Sequence, residues 1–156
     1  MFMLKLRPTL AFGAVVGALF AVAAVALATP PSGQQVSPAL VGTLRDTQRI
    51  KTDQIKFRTK APVEVSTFTI TLAPGGLTGW HTHPGVLFAT VQSGAVVRQV
   101  GCQSRTYTTG EAFVEHGDQP TGQVQNASTV NPAVFSVTHI APPGAPRRQD
   151  SEPPSC

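Results

Sequence analysis

Beyond residue 28 the chain reads in twos. Phe68, Ile70 and Leu72 alternate with Thr67, Thr69 and Thr71, the two-residue period of a half-buried strand. This predicts a strand from Val63 to Leu72, ended by a turn at Pro74-Gly75-Gly76. Further extended segments follow at Thr78–His83, Val86–Val91, Ala95–Val100, Arg105–Thr108, Glu111–Glu115, Gln123–Gln125 and Ala133–Ile140. Ser93-Gly94, Gly101–Ser104, Thr109-Gly110 and a loop over 116–122 separate them, and a weaker strand signal surrounds Ile55-Lys56-Phe57. No segment past residue 28 sustains a helical period. Many short strands with glycine turns predict an all-β domain, a sandwich or barrel.

The first 28 residues follow another pattern. Lys5 and Arg7 precede an uncharged run from Thr9 to Ala28, closed by Ala26-Leu27-Ala28. A basic start, an apolar middle and a small-residue exit describe a secretory signal peptide. The run is also long enough to remain as an uncleaved membrane anchor, and in either case the rest of the chain is expected outside the cytoplasm. Residues 29–43, with three prolines, read as a flexible linker. The β domain is expected over 44–141, and 142–156 as a Pro-rich tail.

Composition narrows the partners. The 156 residues carry twelve basic and eight acidic side chains; without Lys5 and Arg7 the balance is ten to eight, a formal +2. The basic residues are scattered, so no nucleic-acid partner is expected, and a membrane enters only through the N-terminal segment. Cys102 and Cys156 are the two cysteines. In an oxidising compartment they are expected to form a disulfide that fixes the tail, stabilising the fold by about 4 kcal/mol in the chain-entropy view.

The chemistry concentrates in histidine. His81, His83, His116 and His139 are the four present. In Trp80-His81-Thr82-His83 the two imidazoles are two apart and share one face of a strand, offering two aligned ligands for Zn, Fe, Ni or Cu. Trp80 faces the other way and reads as packing. The block from Gly75 to His83, with Gly94 after the next strand, resembles the first motif of the cupin superfamily: Gly, five residues, His-x-His, a Glu after a short gap, then Gly. Gly110–Glu115 looks like the start of the second motif, with Asn126 at its closing Asn, and the resemblance spans about residues 60–141. Small exported bacterial cupin-domain proteins are similar. The resemblance implies a jelly-roll β-barrel with a pocket at its mouth, where three His and one Glu usually hold a divalent metal. It also admits a homodimer, which no sequence feature fixes.

The chain departs from that pattern. The motif Glu falls on Leu87, and the third His on Thr121 or Gly122. His81 and His83 remain, and a catalytic metal generally needs three protein ligands. His139, on the face of Phe135 and Val137, is the first candidate for the third; His116 and Asp118, in the loop that replaces the ligand segment, are alternatives. Glu111 and Glu115 show no partner that would make an acid/base pair. No serine-nucleophile motif, phosphate loop or dinucleotide fingerprint is present. Two readings stand. One is an exported cupin that weakly binds a divalent Mn, Fe, Ni, Cu or Zn ion, with dioxygenase- or isomerase-type chemistry on a small molecule. The other is a metal-free degenerate cupin serving as a small-ligand-binding or structural domain.

Overall fold

The computed structural model describes residues 28–156, so the expected leader lies outside the described residues. Every described element is a strand: β1 (Ser32–Val36), β2 (Leu40–Leu44), β3 (Arg49–Lys51), β4 (Lys56–Arg58), β5 (Val63–Leu77), β6 (His81–Thr82), β7 (Val86–Ser93), β8 (Ala95–Val100), β9 (Gln103–Thr108), β10 (Ala112–His116), β11 (Gly122–Asn126), β12 (Ala133–Ala141) and β13 (Gln149–Asp150). β3 and β4 form a separate exposed hairpin. The other strands pair antiparallel as a jelly-roll barrel. One wall runs β10-β7-β12-β5, with β1 and β2 on the outer edge of β5; the other is built from β9, β8, β11, β6 and β13.

Strict alternation fills the interior. Along β12, Ala133, Phe135, Val137, His139 and Ala141 are buried, while the residues between them are half-buried. They meet Ile70 and Leu72 of β5, Leu87, Ala89 and Val91 of β7, and Phe113 of β10. Val96, Tyr107 and Val124 close the core from the other wall.

Three expectations about the chain's organisation are corrected. Residues 29–43 are not a linker, because most of them form β1 and the start of β2, both laddered to β5. Their side chains are almost all exposed, so the main-chain ladder orders them without an apolar rhythm to betray it. Pro30, Pro31 and Pro38 all fall outside the two strands, where their missing N–H groups break no ladder.

The turn at Pro74-Gly75-Gly76 is a corner inside one long strand. Gly75 adopts φ 67°, the facing β1 register slips between Ser32 and Gln34, and β5 continues to pair Leu77 with Gln125 on the other wall. A bulge bends a strand without reversing it.

The tail is held by more than its last residue. β13 pairs Gln149 with Thr82 and Asp150 with His81. The expected Cys102–Cys156 disulfide is present, with Cα atoms 5.6 Å apart.

Candidate metal centre

His81 and His83 are delivered by a short segment whose bends are set by glycine. Gly79 (φ 71°) and Gly85 (φ 79°) flank the pair in left-handed conformations. A Cβ at Gly85 would collide with the Ile140 carbonyl, and one at Gly79 with that of Thr29, so larger residues are excluded at both positions. Both imidazoles are buried, with ring centroids 4.6 Å apart.

Their hydrogen bonds fix their tautomers. A carbonyl only accepts, so His81 Nδ1–H donates to Gly79 O at 2.7 Å, and His83 Nδ1–H donates to Arg147 O. Both Nε2 lone pairs are thereby turned inward. Burial, with the neighbouring charge of His83, pulls the His81 pKa from 6.5 to about 4 against the Gly79 hydrogen bond. His81 is therefore neutral, and ready to ligate, at any ordinary pH.

The third residue whose donor atom could join them is Glu115. On β10, Phe113 and Glu115 are the buried positions between exposed neighbours, so the carboxylate enters the barrel. Its Oε2 lies 3.1 Å from His83 Nε2. Its Oε1 accepts from Arg98 Nε at 3.0 Å, and Arg98 is tethered in turn by the Val114 carbonyl and Gln119 Oε1. Burial alone would raise the carboxyl's pKa; close contact with His83, together with His81 and Arg98, outweighs it and holds the group below its ordinary value. Donor atoms of His81, His83 and Glu115 all lie within 4.8 Å of one another.

Glu115 brings a carboxylate close to where the resembling motif would have one. It sits opposite Leu87 in the β10–β7 ladder, one strand away from the expected carboxylate. Gly122, one of the two positions aligned with the missing His, pairs with His81. A Cβ there would stand 3.8 Å from Glu115 Oε1, so the carboxylate reaches into the space that a side chain at 122 would claim. The inward rhythm of Phe113 and Glu115 was the sequence signal for this role.

The other candidates are placed elsewhere. His139 is buried beside His83, ring centroids 5.7 Å apart, but its Nε2–H donates to Pro84 O at 2.6 Å. That nitrogen is committed to the β6–β7 loop, and His139 is not among the three residues whose donor atoms cluster. Burial lowers its pKa despite that hydrogen bond. His116 and Asp118 are exposed, His116 because it follows the inward Glu115 on β10. Glu111 caps a turn instead, accepting from Thr108 N at 2.7 Å and Thr108 Oγ1 at 3.0 Å.

The donors fit a metal ion. With Nδ1–H spent on Arg147 O, the buried His83 Nε2 makes no hydrogen bond, yet it stands 3.1 Å from a carboxylate oxygen. Two lone pairs facing at that distance repel unless a proton or a metal ion lies between them. Donors about 2.1 Å from one tetrahedral ion are themselves roughly 3.4 Å apart. A cavity of about 560 Å³ opens beside the cluster, walled by Phe68, Ile70, Leu87, Phe113, Phe135 and Val137.

Fold and site together define a small jelly-roll barrel with a buried His/His/Glu cluster in its cavity. No protein-family model matches the chain, and no curated protein matches it either. Similar solved structures include cupin-like proteins. A protein with a double-stranded β-helix domain from Klebsiella pneumoniae is 21% identical over 56% of this chain and 75% of its own, with a TM-score of 0.48. A cupin-like protein from Thermotoga maritima is 17% identical over 57% and 65%, TM-score 0.49. An oxalate oxidase bound to the substrate analogue glycolate is 23% identical over 53% and 44%, TM-score 0.45. The match thus spans less than half of the oxidase.

Proposed function

We propose that this protein is an exported barrel that holds one divalent transition-metal ion through His81, His83 and Glu115 and presents it to a small molecule in the adjoining cavity. The orphaned His83 Nε2 facing Glu115 Oε2 carries the reading. A bound ion would supply Lewis acidity toward an oxygen donor of the ligand, since three protein ligands leave a position open. Mn, Fe, Ni, Cu and Zn all suit a mixed imidazole–carboxylate set, and dioxygenase- or isomerase-type chemistry would follow from the ion chosen.

The chain's own residues set the ligand class. The apolar wall favours a hydrocarbon or aromatic body. Gln34 Oε1, buried at the cavity lining without a hydrogen-bond partner, reads an N–H or O–H group on that body. Export is supported by the Cys102–Cys156 disulfide, which persists in oxidising compartments, together with the leader pattern of residues 1–28.

Calorimetric titration of the metal-stripped protein with Zn²⁺ and Mn²⁺ tests the proposal: one site is expected in the parent and none in His83→Ala. The metal-free alternative is favoured by one observation, that Arg98 already balances the Glu115 charge. Under that reading both titrations would be flat.

A further inference from the structure

The C-terminal segment crosses the cavity on its way to the disulfide. Ala145, Pro146, Arg147 and Arg148 line the cavity, and the Arg147 guanidinium lies over the Phe68 ring, 5.7 Å from its centroid. The segment also touches the metal cluster, because its Arg147 carbonyl is the acceptor that holds His83 Nδ1–H. That hydrogen bond decides which nitrogen of His83 faces Glu115.

Besides the disulfide, a short ladder and a few single hydrogen bonds keep the segment there. Its ladder consists of two residues of β13 against two of β6. Around that short ladder, Ser151 N donates to Trp80 O at 3.1 Å, Arg148 NH1 donates to Thr78 O at 2.7 Å, and Ser151 pairs with Thr121 through their hydroxyls. Most of residues 142–156 are exposed, and five are proline. A two-residue edge strand with so little buried apolar surface opens at small cost. The Cys102–Cys156 bond, 54 residues apart in sequence, converts that weak docking into a closed strap.

We infer that the disulfide-held strap is a working part of the site: it positions His83 through the Arg147 carbonyl, and opening Cys102–Cys156 releases His83 and weakens metal binding. The metal consequence rests on the proposed function; the positioning of His83 does not. A dithiol opens the bond by two-electron exchange, leaving two protein thiols and a cyclic disulfide of the reductant. Orienting partners of ligating histidines typically govern affinity by about 10–100-fold, so a loss in that range is expected.

The test compares the oxidised protein with a Cys102→Ser/Cys156→Ser double variant and with dithiothreitol-reduced, iodoacetamide-capped protein, so that no free thiol binds the ion. Zn²⁺ affinity is measured by calorimetry. Independently of metal, the His83 ring nitrogens are followed by long-range ¹⁵N NMR, and the Ser151 amide by hydrogen exchange. Expected are a tenfold or greater loss of Zn²⁺ affinity, loss of the Nδ1–H signature of His83 and faster exchange at Ser151 in both opened forms. Unchanged His83 signals and Ser151 exchange overturn the inference. So does a Zn²⁺ affinity within twofold of the parent's. If the oxidised protein binds no metal, the proposed function fails, and the His83 signals alone still decide the positioning role.

Discussion

Glu115 stands directly across the β10–β7 ladder from Leu87, and both side chains face the barrel interior. Cross-strand partners have Cβ atoms about 5 Å apart, so a carboxylate lost from one strand can be replaced from the next without moving the site. With Leu87 at the position where the resembling motif has its carboxylate, the chain still gathers a His/His/Glu cluster.

That relationship is testable by moving the carboxylate back. Glu115→Leu is expected to lower Zn²⁺ affinity at least 100-fold, since it removes a ligand. Adding Leu87→Glu in the same chain should recover at least tenfold of that loss, measured by calorimetry. No recovery in a double variant that melts cooperatively would count against equivalence of the two positions.

Arg98 acts one step further out. It fixes Glu115 Oε1 and leaves Oε2 facing His83. Arg98→Leu should weaken metal binding by about 10–100-fold. It should also lower stability by roughly 3–5 kcal/mol, because a buried carboxylate loses its partner. Chemical denaturation of the metal-free variant checks the second figure; an unchanged midpoint would contradict the network.

Acid should destabilise the metal-free protein. The unfolded chain protonates His81 near 6.5, whereas the folded chain resists until about 4, so the unfolded state binds more protons across that window. Stability contributed by this group is present above pH 6.5 and is lost as pH falls toward 4. The lowered pKa of His139 acts in the same direction, and that of Glu115 extends the loss further down. Melting temperature followed from pH 7.5 to 4 should fall steadily; a flat profile to pH 5 would refute the buried, neutral His81.

Deleting residues 29–43 separates a linker from a strand. A linker could be removed without effect. Loss of β1 and part of β2 bares the outer edge of β5 and should lower the melting temperature by several degrees, at roughly 2–4 °C per kcal/mol for a domain of this size. Calorimetric melting of the deletion variant gives the answer.

Where side chains alternate between interior and solvent, the fold was legible: β5 through β12 follow the apolar rhythm of Phe68, Leu87, Phe113 and Phe135. It was illegible where the main chain alone does the ordering, as in the exposed β1 and β2, and where a bulge at Gly75 looks locally like a turn. His81 and His83 were legible from their spacing. The clustered carboxylate was not, because a motif fixes positions along the chain whereas a cluster collects donors across strands. Histidine chemistry drew the search to His139, whose Nε2 is spent on Pro84. The inward rhythm of Phe113 and Glu115 puts Glu115 on the interior face, but its meeting with His83 needed the ladder register, which spacing within one strand does not contain.

The most direct test of the account is elemental analysis of the purified protein after mild dialysis, beside His81→Ala/His83→Ala and Glu115→Gln. About one equivalent of a first-row transition metal in the parent, and less than a tenth in either variant, is the predicted result. A metal-free parent that stays folded and takes up no added Zn²⁺ or Mn²⁺ would contradict it, leaving His83 and Glu115 as a buried ion pair.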